Sequence, residues 1–272
     1  DFRSPHDRLR AKKGWFFFDN EYVCLGAGIT AGSADNVATT LNQNWLNGNV
    51  TVMQQGEKKV LPKSDHVLEN VNWVYHDGTG YLFPTPAKIN LSNQVATGSW
   101  FLVNKQSDSP KEEVRGDVFK LWLDHGKRPR EATYQYIILP STSENNLQTV
   151  AGSKTIEILS NTTSVQAVKH NGLNICEAIF YSAGDIQVAG NLNIGFDSPG
   201  VLLLKTDGTN VKSISVADPS RKLKKLHLTI NRNISAIGNG YRAVWNETSG
   251  VTEISVDLPQ NEYAGKSVTI NF

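Results

Sequence analysis

The chain has 272 residues, with 27 lysines and arginines against 26 aspartates and glutamates and a formal net charge of +1. That near-balance argues against a nucleic-acid or membrane-surface partner, since both leave a strong basic excess. No apolar run approaches the ~20 residues a spanning helix needs, and the length allows one large or two ordinary domains.

Residues 1–14 are polar and basic (Arg3, Arg8, Arg10, Lys12, Lys13) without helical periodicity. The simplest reading is a solvated connection into the first strand; the alternative is a basic lip facing an anionic substrate. The chain opens on Asp1-Phe2-Arg3, with no initiator methionine and no signal-type apolar region. This points to a C-terminal piece of a longer protein. At the other end, KSVTINF alternates apolar residues up to Phe272 and reads as a last strand.

From Trp15 onward the pattern is β. Trp15-Phe16-Phe17-Phe18 is expected to be a strand buried on both faces. It runs on to Gly26-Ala27-Gly28-Ile29-Thr30-Ala31, a formal match to a dinucleotide fingerprint. That motif works only where a helix begins, and Gly32-Ser33-Ala34-Asp35-Asn36 is a poor helix opening. A glycine-permitted bulge in a strand is the better account. Asn47-Gly48, Asp77-Gly78, Asp207-Gly208 and Asn239-Gly240 are read as hairpin turns, because both central residues of a type I′ turn need φ > 0. Val71, Trp73 and Tyr75 alternate with Asn72, Val74 and His76, as Leu226, Leu228 and Ile230 do with His227, Thr229 and Asn231. No stretch predicts an amphipathic helix of three turns. Many short strands at close spacing predict an all-β chain of sandwiches. The polar stretch SNTTSVQAVKHNG marks a boundary, dividing the chain into residues 1–169 and 170–272.

Candidate chemistry is sparse. Cys24 and Cys176 lie in apolar strands and read as buried free thiols. His66, His76 and His125 adjoin aspartates, but neighbours in a strand point to opposite faces, so these histidines are read as structural. Zinc spacing and a nucleophile elbow are both missing. No cofactor or metal site is expected. Arg221-Lys222-Leu223-Lys224-Lys225 is read as a charged guard on a sheet edge.

Three segments, WFFFDNEYVCLGAGI with its sequel ATTLNQ, VNWVYHDGTGYLFP and FKLWLDHGKRPREATYQYIILP, together resemble the family-eight polysaccharide lyases. That family contains chondroitin AC, hyaluronate and xanthan lyases, and the wording is most similar to the chondroitin AC members. The resemblance covers most of residues 10–140. It implies part of a large antiparallel supersandwich (1–169) followed by a small C-terminal β-sandwich (170–272). It also implies an N-terminal α/α toroid as partner, a glycosaminoglycan substrate cleaved by β-elimination, and a secreted or periplasmic location. In the family an Asn, a Tyr with a nearby His, and an Arg carry out the chemistry from the toroid. No helical segment here matches it, so no catalytic residue carries over to this chain, and which of its residues bind substrate is left open. The chain alone is expected to be inactive, and to fold only together with the toroid portion. Two other readings compete: a stand-alone carbohydrate-binding β-sandwich module, and an aldose-epimerase-like enzyme with a His and a Glu facing one pocket.

Overall fold

The computed structural model describes residues 1–208 and 210–272. Ten strands build the first unit: β1 (Phe2–Arg3), β2 (Arg10–Phe17), β3 (Tyr22–Thr30), β4 (Asn36–Trp45), β5 (Val50–Gln54), β6 (Glu57–Val60), β7 (Asp65–His76), β8 (Thr79–Gly98), β9 (Val114–Lys127) and β10 (Ala132–Leu139). A single-turn helix, α1 (Trp100–Val103), sits between β8 and β9, and α2 (Glu144–Gly152) follows β10.

The strand order is β1-β2-β3-β10-β8-β7-β5-β6, with β9 and β4 branching from β8. The long strands β7 and β8 serve two layers. Their paired ends at His76 and Thr79 lie in the first layer beside β10 and β5. Their other halves pair with each other around Leu68 and Ile89 and continue into β9 and β4. Between the layers lies a core of Cys24, Val52, Val74, Tyr81, Phe83, Leu91, Phe119 and Leu121. His76 is inside it, stacked on Phe119 at 4.3 Å, with its Nε2 accepting from the Asn47 N–H at 3.1 Å.

The first layer is apolar on its other face too. Phe16, Val23, Leu25, Trp73, Leu82, Ile137 and Leu139 pack there against Leu147 of α2 and Val168 of the second unit. This is why Trp73 and Val74, neighbours pointing opposite ways, are both buried.

The second unit has two six-stranded sheets. One is β11 (Ile156–Asn161), β12 (Val165–His170), β13 (Ile175–Phe180), β16 (Gly200–Asp207), β17 (Asn210–Ala217) and β22 (Val268–Asn271). The other is β14 (Gly184–Ala189), β15 (Leu192–Phe196), β18 (Lys225–Ile230), β21 (Val251–Asp257), β20 (Tyr241–Asn246) and β19 (Ala236–Gly238). Phe180 and Phe196 stack at 4.3 Å across the gap, inside a core of alternating Leu, Ile and Val.

The expected all-β architecture of two sandwiches is present, but the boundary at 169/170 is corrected. Residues 156–170 form β11 and β12, which pair with each other and then with β13. The junction therefore falls at 153–155. The stretch is polar because it makes the seam between the units: Gln166 is fully buried and joins Asn161 and Tyr181 by hydrogen bonds.

The turn readings fare unevenly. Asp77-Gly78 is a two-residue hairpin turn with φ of 47° and 74°. Asn239-Gly240 closes β19 onto β20, and Asp207-Gly208 leads β16 into β17. Asn47-Gly48 differs: β4 pairs β9 while β5 pairs β6 and β7, so this turn carries the chain from one layer to the other. Gly28 has φ of +63°, and the register slips on both sides of it, which makes it the bulge that the glycine pattern predicts. A Cβ there would also lie 2.5 Å from Thr163 Cγ2, so the bulge lets the second unit approach.

Two further readings are corrected. Trp15 and Phe17 are 50% and 65% exposed, whereas Phe16 is 1% exposed, so the aromatic run is buried on one face. The Arg221–Lys225 cluster guards no edge. Lys225 begins β18, which lies between β15 and β21, and pairs with Asp257 at 3.0 Å. The residues before it wrap the Asp218 carboxylate, which accepts from the N–H groups of Ser220, Lys222 and Leu223 at 2.8 Å each. Burial pushes the Asp218 carboxyl up, but these bonds together hold it below its ordinary range.

Candidate functional site: a basic cleft at the domain seam

The starts of β2, β4 and β10 and the ends of β3 and β9 meet at one end of the first unit. A cleft of about 600 Å³ opens there, lined by Arg3, Arg8, Arg10, Lys12, Glu131 and, across the seam, Thr163. The adjoining β9–β10 connection adds Lys127, Arg128 and Arg130, all exposed. Arg128 and Glu131 have φ of 50° and 54°, and Pro129 O accepts from the Ala31 N–H at 3.1 Å, which ties the connection to the end of β3. The Thr30 hydroxyl donates to Glu131 Oε1 at 3.2 Å.

Three carboxylates, Asp1, Asp7 and Glu131, line the cleft against its four basic side chains, and Lys127, Arg128 and Arg130 on the adjoining connection widen that excess. Asp1 lies 3.6 Å from Arg3 and 3.3 Å from Lys12, and Glu131 lies 3.9 Å from Arg10. Burial, reinforced by the charge of Arg3, lowers the Lys12 pKa, and its ammonium sits 4.6 Å over the Tyr181 ring. Residues 1–14 are thus β1, β2 and one wall of a basic cleft rather than a solvated connection. Lys127, Arg128 and Arg130 were readable as the run GKRPR, but only the fold brings them beside Arg8 and Arg10.

The cleft can hold an anion, but its lining includes no tyrosine, histidine or asparagine. A neighbouring cleft of about 400 Å³ does contain a histidine, His125, with Asp124, Lys88 and Tyr134. His125 Nε2 lies 2.8 Å from the Thr39 hydroxyl, and burial lowers its pKa against the opposing pull of Asp124. Burial also keeps the Tyr134 hydroxyl protonated far above its ordinary range. Neither an asparagine nor an arginine lines this second cleft. Of the other histidines, His66 is held on Pro62 O at 2.9 Å and His170 between Leu173 N and Glu21. The His–Glu pocket an aldose epimerase would need is not found in the supersandwich clefts; His227 and Glu253 share a concavity of the second unit instead. Cys24 and Cys176 are buried and unpaired, as expected, and burial pushes their thiols up to about 11 and about 12.

At the seam, Tyr181 Oη donates to Lys13 O at 3.1 Å, and Asn161 Nδ2 donates to Gly26 O and Tyr134 O at 3.2 and 3.0 Å. The Glu177 carboxylate accepts from the Phe17 N–H; burial raises its pKa from 4.5 to about 7 despite that bond. A raised carboxyl pKa means that the folded chain favours the protonated form. Its contribution is complete below the ordinary value and is lost as pH rises through about 7. Glu177→Gln, which keeps the neutral shape, is therefore expected to stabilise the chain at pH 8. The gain should be about 1 kcal/mol after solvent screening, falling to roughly a quarter of that at pH 5. Urea midpoints of both chains at the two pH values check this, and an equal shift at both would count against it.

Comparison with known proteins places this architecture. The super-sandwich domain of polysaccharide lyase family 8 matches residues 1–151, and the family's C-terminal β-sandwich domain matches residues 157–227. The chain belongs to polysaccharide lyase family 8. Among family relatives, the chondroitinase-AC of Pedobacter heparinus is 40% identical over 97% of this chain and 35% of its own length. A hyaluronate lyase of Thermasporomyces composti is 30% identical over 94% of the chain and 32% of its own length. A solved chondroitinase AC lyase superposes with a TM-score of 0.83 at 38% identity, covering 98% of this chain and 37% of that one. A Paenibacillus xanthan lyase, at 24% identity and a TM-score of 0.86, shares the fold over 100% of this chain and 27% of its own. The chain thus spans about a third of the length of these family members. The matched segments end at 151 and resume at 157, on either side of the junction at 153–155.

Proposed function

We propose that this chain is the β-rich portion of a lyase that cleaves uronic-acid-containing glycosaminoglycans by β-elimination. In this reading it walls the substrate cleft of an N-terminal α/α toroid, and the toroid holds the catalytic residues. In that reaction a base removes the C5 proton of the uronate, a C4=C5 double bond forms as the C4–O bond breaks, and the leaving oxygen takes up a proton, which leaves an unsaturated sugar. The developing enolate needs preorganised donors and a base within hydrogen-bond reach. The two supersandwich clefts described above offer no such set. What the chain supplies is charge: the excess of basic over acidic side chains in the cleft, together with Lys127, Arg128 and Arg130 on the connection beside it, carries the proposal. A polyanionic sugar chain is drawn to such a surface and oriented by it.

Apolar side chains left open on the first unit support a covering partner domain. Trp45, Trp100, Leu102 and Val103 are all more than 60% exposed, an arrangement that marks an interaction surface when the side chains cluster. A stand-alone carbohydrate-binding module would use the same indoles as sugar platforms. In this reading the chain acts in a secreted or periplasmic location, because a long polyanionic polysaccharide does not cross the cytoplasmic membrane unaided.

The triple variant Arg10→Ala, Arg128→Ala, Arg130→Ala tests the role of the cleft. At roughly 0.5 kcal/mol per exposed contact, it should bind chondroitin sulfate about tenfold more weakly at low salt. The difference should fade at high salt as the charges are screened. Equal affinity at low salt would remove the cleft from the proposal.

A further inference from the structure

We propose that the outer face of the sheet β15-β18-β21-β20 is a binding groove for a neutral, hydroxyl-rich glycan. It is separate from the basic cleft and independent of the lyase reading. The face is concave and encloses about 850 Å³, within the range of small-ligand sites. Its inward residues, Leu228 and Ile254, belong to the core, so its outward residues are held on rigid strands.

The cross-strand register sets these outward residues in two rows. His227, Ser255 and Arg242 form one; Gly195, Thr229, Glu253 and Val244 form the other. Neighbouring strands lie roughly 4.8 Å apart, so the polar tips of His227, Ser255, Arg242, Thr229 and Glu253 are spread over a distance of more than one sugar ring, which suits a short stretch of glycan. Asp197 closes one end. A Cβ at Gly195 would come within 2.9 Å of the Thr229 hydroxyl, so glycine keeps the floor open. Glu253 is oriented by Asn246, whose Nδ2 donates to Oε1 at 2.9 Å.

The charge pattern selects the ligand class. The ion pairs involving the second unit are Glu21–His170, Asp207–Lys212 and Lys225–Asp257, which leave Arg242, Asp197 and Glu253 available. Two carboxylates against one guanidinium give a face of slight negative sign, which disfavours a polyanion. Among the described residues no group of His, Cys, Asp and Glu side chains converges as a metal site would require. Val244 is the only exposed apolar side chain lining the groove, too little to anchor a peptide. What remains is a ligand whose vicinal hydroxyls donate to Glu253 and Asp197 and accept from Arg242, with its C–H face on Gly195 and Val244.

Affinity electrophoresis of the full chain tests this, in gels containing dextran, galactomannan, xyloglucan or mixed-linkage β-glucan, with chondroitin sulfate as the polyanionic control. The expected result is retardation by at least one neutral polysaccharide. Arg242→Ala and Glu253→Ala, both at exposed positions, should each weaken it roughly tenfold, the worth of one charge-assisted hydrogen bond. Arg10→Ala in the basic cleft should leave it unchanged. Migration unaffected by all four neutral polysaccharides would overturn the proposal, as would retardation that survives both groove substitutions. Retention by chondroitin sulfate bears only on the basic cleft, so the two readings fail separately.

Discussion

Replacing His170 by alanine is expected to destabilise the chain by about 3–5 kcal/mol, the usual cost of removing one partner from a buried pair. Glu21, in the β2–β3 connection of the first unit, and His170, at the end of β12 in the second, are among the few buried ionisable side chains. Their Oε1 and Nε2 atoms lie 2.8 Å apart. The Leu173 N–H donates to His170 Nδ1 at 3.0 Å, which leaves the ring proton on Nε2, facing the carboxylate. The approach is short but off-line for a hydrogen bond, so the contact is one of packing and of the imidazole dipole against the carboxylate. Phe18 packs tilted against the same imidazole, with ring centroids 5.1 Å apart. Without His170 the Glu21 carboxylate would be shut in at the seam with no partner. The double variant Glu21→Met, His170→Leu should recover most of the loss, because an apolar pair of similar volume replaces two desolvated groups. Urea unfolding of the four chains in a double-mutant cycle reads the coupling directly. A single-variant cost under about 1 kcal/mol would show that the seam does not depend on this pair.

Phe16→Ala and Phe17→Ala should differ sharply although the residues are adjacent. Phe16 is 1% exposed and packs with Trp73, Leu139 and Leu147 between the units. Its removal should cost about 3–5 kcal/mol. Phe17 is 65% exposed and stacks only on Tyr22, at 5.4 Å. Its loss should cost under about 1 kcal/mol. Comparable costs for both would mean that Trp15 and Phe17 are covered in solution, as a partner domain or self-association would cover them.

This pair also shows where sequence reasoning stops. Four consecutive aromatics read as a strand buried on both faces, and β3, next to it, is indeed so buried. In β2 the opposing layer leaves Trp15 and Phe17 open, and nothing in the local pattern reports how far another layer extends. Period-two alternation and Asx-Gly turns were legible, and with them the all-β class. Gly28 was legible as a bulge because no helix opening followed it. The junction was not, since Gln166 and His170 are polar residues spent on a buried seam and imitate a linker. The basic cleft was half legible: Arg8 and Arg10 could be seen as a lip, but Lys127, Arg128 and Arg130 lie more than a hundred residues away in sequence. Their proximity comes from β3 pairing with both β2 and β10. Arg221–Lys225 misled for a related reason, because its backbone N–H groups help wrap a buried aspartate whose role is visible only in the turn.

The central claim is that this chain positions a polyanionic substrate and leaves the chemistry to another domain. Splicing residues 1–272 into the Pedobacter heparinus chondroitinase-AC, in place of the segment that is 40% identical, tests it most directly. Formation of unsaturated product from chondroitin sulfate, followed by ultraviolet absorbance, should be seen with the chimera and not with the isolated chain. Turnover by the isolated chain, or a folded chimera without activity, would contradict the account.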